Sequence, residues 1–586
     1  MKPVGRRDGP LMIAALTALA ATAFLGWQVR HPPPACGPLT LTVASSEEKS
    51  AFLQMIAADY GRRASSPGKC VSISVLRIPS GQVETALSKG WNEETDGGPP
   101  PDVWSPAATT WLRLLDHHLQ QQKKPNLVKG SVPSLFTSPL VIGMPKPMGL
   151  ALGWPAQRLG WSEILGLATD PRGWARYGHP EWGPFRLGKT NPNFSTSGLH
   201  ALIGTYFAAT GQSSQLTPDR LGDPDVLKFV AGVESSVVHY GKVVSTFSLN
   251  LRAADEENAA MSYISAIAME EKQVWDYNQG NPSANPAVTP SPLPPRIPLV
   301  AFYPRDGTLV ADHPYAILEA PWMTGAKRQL AAGFLRYLQD PAQQRQFREV
   351  GFRDQAATAG SEISPANGLI PGEPNTVLRP PTGEVITKIQ QSWTGLRKRA
   401  RVLILIEDSA ATTGADRSRT ASAIGEGLKE LGPNDLAGLW SFPSGGELSS
   451  AAKELVSVTP VSQSRSRILD SIAGLSAPPG RIGLLAAVRK AVASMQAGAD
   501  PNRINAVVVI ASGRNADPAD TDLNGLLRDL RTQPPETWVR VFTVTYGATP
   551  NGDVLDKMAR ASRAGAYNAA KPADLNRVFI DVVSNF

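Results

Sequence analysis

Cysteine is nearly absent from this chain, which has two in 586 residues, and histidine is scarce, with seven. The histidines are scattered except for His117 and His118, whose adjacency points them to different sides of a helix, where a shared metal would want i and i+4 spacing. No cluster of Lys and Arg with interleaved aromatics accompanies the net charge of +7, which argues against nucleic acid as a partner. No set of Ser, His and Asp can be singled out, no internal repeat is evident, and no transport or ATP-hydrolysing domain is recognisable. What remains is a globular composition, 42% apolar and 19% charged, in a chain long enough for two or three domains.

The first residues set the expected compartment. Lys2, Arg6 and Arg7 precede Leu11–Val29, an uncharged stretch just long enough to span hydrocarbon, and His31-Pro32-Pro33-Pro34 follows it. Positive residues before the span place the N-terminus inside and the bulk of the chain outside, as a single-pass protein of the cell membrane. A cleaved signal peptide is the alternative, but its A-x-A-like site, Ala21-Thr22-Ala23, lies inside the apolar run instead of after it. Cys36 and Cys70 each precede a predicted strand, Leu39–Val43 and Val71–Leu76. In an oxidising compartment such a pair reads as one disulfide, not a metal site or catalytic thiol, and its loop closure would contribute on the order of 3–4 kcal/mol.

At the other end, VLILIEDSAAT (Val402–Thr412) is a buried-strand run that breaks into an acidic, hydroxyl-bearing loop. Strands at Leu436–Phe442, Ile504–Ala511 and Trp538–Tyr546 alternate with helical patterns near Ser466–Leu475, Leu484–Met495 and Leu523–Leu530, and two helices close the chain. This alternation predicts a doubly wound parallel sheet whose ligands would sit at the carboxyl ends of the strands. The pattern resembles a von Willebrand factor A domain over about Lys398–Phe586. The resemblance implies a divalent cation held by D-x-S-x-S, a Thr and an Asp, and Mg²⁺ needs such oxygen ligands in near-octahedral array. Here Glu407, Asp408, Ser409 and Thr412 keep only part of the first set, Ile482 stands at the Thr position, and Ser512 replaces the Asp. The site reads as vestigial, with no metal and no cofactor expected.

Between these ends the same alternation runs with longer excursions. LTLTVASSEEKSAFLQMIAADYGRR, VSISVLRIPSGQVETALSKG and PPPDVWSPAATTWLRLL each place hydroxyl residues where a strand ends and a helix begins: Ser45 and Ser46, Ser80, and Ser105. One such Ser is an ordinary helix cap, whereas three successive loops exposing helix N-terminal amides point to a polar ligand. This region resembles bacterial extracellular solute-binding proteins with two lobes, through LTLTVASSEEK, PDVWSPA, SPLVIGMPKPM, WGPFRLGKTNPNFSTSGL, YISAIAMEEKQVWDYN and FYPRDGTLVADHPYAIL. With the C-terminal domain, the order is that of membrane-anchored substrate-binding and von Willebrand A proteins. The resemblance implies a cleft closing over a solute. Carried onto this sequence, its binding positions are Ser45, Ser46, Ser105, Asn191, Ser195, Thr196, Ser197, Glu271 and Asn278.

Two motifs compete with that reading. Gly183–Thr190 fits G-x-x-x-x-G-K-[ST], but no buried strand precedes it and Asn191-Pro192-Asn193 blocks a helix after it, so a phosphate loop is not expected. Ser46-Glu47-Glu48-Lys49 reads S-x-x-K, a pattern short enough that Ser450–Lys453 repeats it. The expected organisation is therefore a membrane anchor and Pro-rich stalk (1–36), a two-lobed, type II periplasmic-binding-protein-like α/β domain (37–358), a linker with a lead-in helix (359–397) and the sheet domain (398–586). The sequence reads as a binding protein, not an enzyme, that captures a small polar or anionic solute and docks an envelope protein through its C-terminal domain. The alternative is an adhesion or assembly scaffold with no small-molecule ligand.

Overall fold

The computed structural model describes residues 39–66, 70–285, 293–408, 414–443, 452–475, 482–546, 550–569 and 574–586. The expected membrane anchor, Cys36, Ser409 and Thr412 lie outside those residues. Among the described residues no helix is long and apolar enough to cross a membrane.

The first lobe is laid down by β1 (Leu39–Ser45), β2 (Val71–Arg77) and β3 (Val103–Ser105), each followed by a helix: Glu47–Ala64, Ser80–Lys89 and Thr109–Gln121. β1 pairs in parallel with both neighbours, so Ser45 and Ser105 come side by side at the carboxyl edge. The chain then crosses into a second lobe built from β4 (Ser138–Pro145), β5 (Leu187–Thr190), β6 (Val237–Gly241), β7 (Ala266–Glu270), β8 (Leu299–Phe302) and β9 (Val310–Ala311). Its sheet runs β6-β5-β7-β4-β8, with β9 on β4. β10 (Ala316–Ile317) returns to the first lobe, antiparallel to β3, so the segment between β9 and β10 is the second strand of the hinge.

Residues 359–381, expected as a linker, lie against the second lobe: Ile363, Leu369 and Leu378 are buried there, and Leu378 N–H donates to the Thr308 carbonyl at 2.8 Å. Their apolar side chains bind a Pro- and Gly-rich segment to a surface. The helix Gly383–Leu396 follows, burying Val385, Ile386, Ile389 and Trp393.

The C-terminal domain is a sheet of β11 (Arg399–Asp408), β12 (Leu436–Pro443), β13 (Lys453–Pro460), β14 (Arg503–Ala511), β15 (Arg540–Thr545) and β16 (Ala566–Asn568), in the order β13-β12-β11-β14-β15-β16. Along β11, Val402, Ile404 and Ile406 enter one apolar core and Leu403 and Leu405 the opposite one. Helices on both faces explain why the strand is apolar without alternation. The sheet is not wholly parallel as expected, because β13 runs antiparallel to β12 at the edge. A sharp return suffices to add such an edge strand, whereas a parallel one needs a crossover.

The C-terminal helix Leu575–Val583 packs on the helix Gly414–Glu430, and the residues after it reach the second lobe. Tyr240 N–H donates to the Asn585 carbonyl at 2.9 Å, the Asn191 amide donates to the Ser584 carbonyl at 3.1 Å, and Lys242 pairs with Asp581. Glu257 of the second lobe accepts Arg531 at 3.0 Å and also pairs with Arg563.

Candidate functional site

The interlobe cleft is assembled from strand ends. β1 stops at Ser45, Ser46 occupies the N-cap of the next helix, and Glu47 and Glu48 fill its first turn, where carboxylates suit the positive end of the helix. Ser46 does not cap that helix. Its hydroxyl donates to Glu48 Oε1 and accepts from the Lys49 ammonium, which also donates to the Pro106 carbonyl at 3.2 Å. Facing it across the cleft, Asn191–Ser195 is a turn that leads into the helix Thr196–Thr210. There the Ser195 and Ser197 hydroxyls stand 3.2 Å apart, and Ser197 meets Thr190 Oγ1 at 3.1 Å.

The lobes are closed. Trp111 Nε1 donates to Thr196 Oγ1 at 2.8 Å, Thr110 Oγ1 meets His200 Nε2 at 3.0 Å, and Gly81 N–H donates to the Phe194 carbonyl at 3.0 Å. Glycine is needed at position 81, since a Cβ there would lie 2.0 Å from the Asn193 carbonyl oxygen. Ser245 of the second lobe donates at 2.7 Å to Glu47, which also pairs with Arg77 of the first. Between the lobes is a partly open cavity of about 20 Å³ whose lining includes Ser46, Glu48, Ser80, Ser195, Thr196, Ser197, Lys242 and Glu270.

Of the positions carried over from the sequence, Ser46, Ser195, Thr196 and Ser197 thus meet at one point. Ser45 and Ser105 lie just behind it, and the Ser105 hydroxyl is buried without a hydrogen-bond partner. Asn191, Glu271 and Asn278 do not line it. Asn191 holds Ser584 and accepts from Asn193 N–H at 3.0 Å. Glu271 is sealed in a two-toothed ion pair with Arg353, at 2.7 Å to both Nε and Nη2, and accepts from the Tyr303 hydroxyl. Asn278 is spent on the backbone, donating to Leu299 and Asn367 at 2.8 and 2.9 Å. The competing phosphate-loop pattern ends in β5, where Lys189 is buried against Glu234.

Sequence reasoning missed the titratable residues at the cleft and just behind it: Glu48, Lys49, Lys242, Glu270 and His313. Glu48 and Lys49 stood in view within S-x-x-K, but His313 is 264 positions from the Lys49 it touches, a juxtaposition no local pattern reports. Lys49 Nζ stands 3.3 Å from His313 Nδ1 and 3.5 Å from Glu48 Oε1, while His313 Nε2 faces Glu270 Oε2 at 3.3 Å. Burial pushes the Glu270 carboxyl well above the usual range, reinforced by Glu48 nearby. Burial also lowers Lys49, and it holds His313 neutral with the Lys49 charge adding to the effect.

The top of the C-terminal sheet has a different arrangement. Glu407 Oε2 accepts both the backbone N–H of Ser512, at 2.7 Å, and its hydroxyl, at 2.8 Å. The acid that would ligate a cation is used to hold the loop after β14, and Ile482 offers only an apolar side chain packed toward the core. These described donors do not fit an octahedral Mg²⁺ set.

Comparison with known proteins follows the same division of the chain. Residues 41–353, more than half of the sequence, match the family described as bacterial extracellular solute-binding protein, and residues 400–568 match the von Willebrand factor type A domain. An uncharacterized protein of Mycobacterium tuberculosis is 22% identical over 508 residues, covering 85% of this chain and 69% of its own. Among solved structures, a periplasmic binding protein of Actinobacillus pleuropneumoniae with fructose-6-phosphate bound overlaps 62% of this chain and 100% of its own at 13% identity and a TM-score of 0.39. A von Willebrand factor type A protein of Catenulispora acidiphila overlaps 32% of this chain and 42% of its own at 16% identity and a TM-score of 0.27.

Proposed function

The chain belongs to the bacterial extracellular solute-binding protein family, and from that premise we propose that it captures a small polar solute between its lobes and uses its von Willebrand factor A-like domain to contact another protein. The convergence of Ser46 from one lobe with Ser195, Thr196 and Ser197 from the other on a single cavity carries this reading. The hydroxyls of Ser46, Ser195, Thr196 and Ser197 suit a polar solute, and the helix N-terminal amides with Lys242 on one side and Glu48 on the other offer both signs of charge to it. We read the protein as acting by binding, not by chemistry, with the Ser46 hydroxyl engaged by Glu48 and Lys49.

We place this activity outside the cell membrane, with Leu11–Val29 as the anchor and Lys2, Arg6 and Arg7 inside. Cys70 is disulfide-bonded, and Cys36, the other cysteine of the sequence, is its natural partner in an oxidising compartment. The pairing of Lys242 with Asp581 gives the C-terminal domain a direct hold on a cleft residue, and Asn191 beside the cleft holds Ser584.

One observation favours a second reading, a scaffold without a small-molecule ligand: the interlobe cavity of about 20 Å³ has room for little more than a water. A thermal-shift screen of the full chain against sugars, polyols, amino acids and oxyanions separates the two. The binding reading expects stabilisation by one solute class, about 2.7 kcal/mol at a hundredfold excess over Kd, lost in Ser195→Ala and Ser197→Ala. Stabilisation by none of them would leave the scaffold.

A further inference from the structure

The run Arg397-Lys398-Arg399 joins the helix Gly383–Leu396 to β11, at the opposite edge of the C-terminal sheet from Glu407 and Ser512. β14 pairs with β11 in parallel, which sets Arg503 beside Arg399. Together with Asp500, and with Ser235 at the end of the helix Pro224–Ser235 of the second lobe, these residues line a cavity of about 320 Å³ that is open to solvent. The interlobe cavity measures about 20 Å³, whereas this one reaches the size of small-molecule sites, about 300–1,000 Å³.

The lining carries four cations, Arg397, Lys398, Arg399 and Arg503, and one carboxylate, Asp500. Asp500 pairs with Arg503 at 3.2 Å, and Arg397 is taken by Asp435. Lys398 and Arg399 remain, since among the described residues no carboxylate stands within ion-pair distance of either side chain. The surroundings add to the positive charge. Arg186 of the second lobe and Arg540 of β15 also have no carboxylate within that distance among the described residues, and Arg540 is buried, with Nη1 donating to the Arg563 carbonyl at 2.7 Å. Burial takes Lys398 down to about 8, with the charges of Arg540 and Arg186 acting in the same direction and Asp500 offsetting them only in part. The helices ending at Leu396 and Ser235 each present about half a negative charge, about one in all, against the four cations Lys398, Arg399, Arg186 and Arg540. Docking of the two domains would set cations against carboxylates, as Glu257 does with Arg531 and Arg563, and does not call for cations around an open cavity.

We propose that this cavity is a second ligand site, which takes a phosphate-bearing small molecule through Lys398 and Arg399 and so braces the second lobe against the C-terminal domain. A phosphate brings close to two negative charges and three acceptor oxygens, which suit the forked guanidinium of Arg399 and the compact ammonium of Lys398 together. The backbone between them is already fixed, because Lys398 N–H donates to the Tyr240 hydroxyl of the second lobe at 2.9 Å. The site does not depend on the reading of the cleft, with which it shares no lining residue.

Full-length protein titrated by calorimetry and thermal shift with inorganic phosphate, with glycerol 3-phosphate and, as the uncharged control, with glycerol tests it. The expected result is one phosphate per chain, a raised unfolding midpoint, no comparable effect of glycerol, and affinity at least about 10-fold weaker in Lys398→Gln and in Arg399→Gln, the share of one charge-assisted hydrogen bond. Neither side chain holds a carboxylate, so both variants should unfold at the wild-type midpoint without phosphate, and Lys398→Gln decides the matter if Arg399→Gln does not fold. Ser195→Ala should bind phosphate as the wild type does. Phosphate binding lost in Ser195→Ala and kept in Lys398→Gln would put the anion in the cleft and overturn the assignment, as would no phosphate binding by the wild type. Sedimentation with phosphatidylglycerol vesicles that is lost in Lys398→Gln and is not competed by glycerol 3-phosphate would make this surface a membrane contact and would equally overturn it.

Discussion

Glu271 and Glu270 are neighbours in sequence with opposite roles. Glu271 is enclosed with Arg353 at 2.7 Å and with the Tyr303 hydroxyl, whereas Glu270 keeps an oxygen without a hydrogen bond at the cleft. Their burial is similar, so their partners decide which is structural and which is available to a ligand. Removing one side of a buried ion pair leaves the other charge unpaired in a medium that solvates it poorly. We therefore expect Glu271→Ala to lower stability in urea by about 3–5 kcal/mol, with Glu270→Gln far milder. The sequence placed Glu271 among the binding positions because a carboxylate at a strand end invites a ligand. Arg353, 82 positions away, takes that carboxylate in the fold, and nothing local in the sequence announces it.

At the scale of elements, the runs that the sequence marks most firmly are those buried on both faces. AVVVIA of β14 divides its alternate side chains between two cores, and the sequence shows it as an unbroken apolar stretch. β13 escaped notice because KELVSVTP lies half-exposed at an edge, where neither a continuous run nor a clean alternation is required. The loops before the helices Glu47–Ala64 and Thr196–Thr210 were legible through their hydroxyls. The contact of those helices with the other lobe was not, because it depends on closure. His200, in the second of these helices, illustrates the consequence. Burial takes its imidazole down to about 3, and it meets Thr110 of the first lobe at 3.0 Å. The folded value lies below the unfolded one, so the unfolded chain binds the extra proton at intermediate pH. Stability is then whole above about pH 6.5 and falls as the pH drops toward 3, by up to about 1.4 kcal/mol for each pH unit. His239 and His313, also held neutral by burial, act in the same sense. Urea midpoints measured from pH 7 to pH 5 isolate the His200 share by difference, because buried carboxyls such as Asp276, raised to about 6, act in the opposite sense: His200→Gln should lack one proton's share of the decline. An unchanged slope would show that His200 is not buried neutral in solution.

For the whole molecule, the two-lobed domain and the sheet domain share a contact at a residue that also faces the cleft. Lys242 lines the cavity while pairing with Asp581; away from the cleft, Glu257 holds both Arg531 and Arg563. The central claim is that the lobes open and close over a bound ligand. Closure passes through Gly81, where an added methyl would meet the Asn193 carbonyl at 2.0 Å. Because backbone cannot yield as a flexible side chain can, Gly81→Ala should hold the lobes apart, with the Trp111 ring of the same lobe, 2.7 Å from the added methyl, shifting to admit it. The most direct measurement is small-angle X-ray scattering of wild type and Gly81→Ala, each with and without whichever ligand stabilises the wild type. The account predicts that the ligand contracts the wild type to the closed dimensions and that Gly81→Ala stays expanded with or without it. Identical scattering from both proteins under both conditions would contradict a cleft that works by closing.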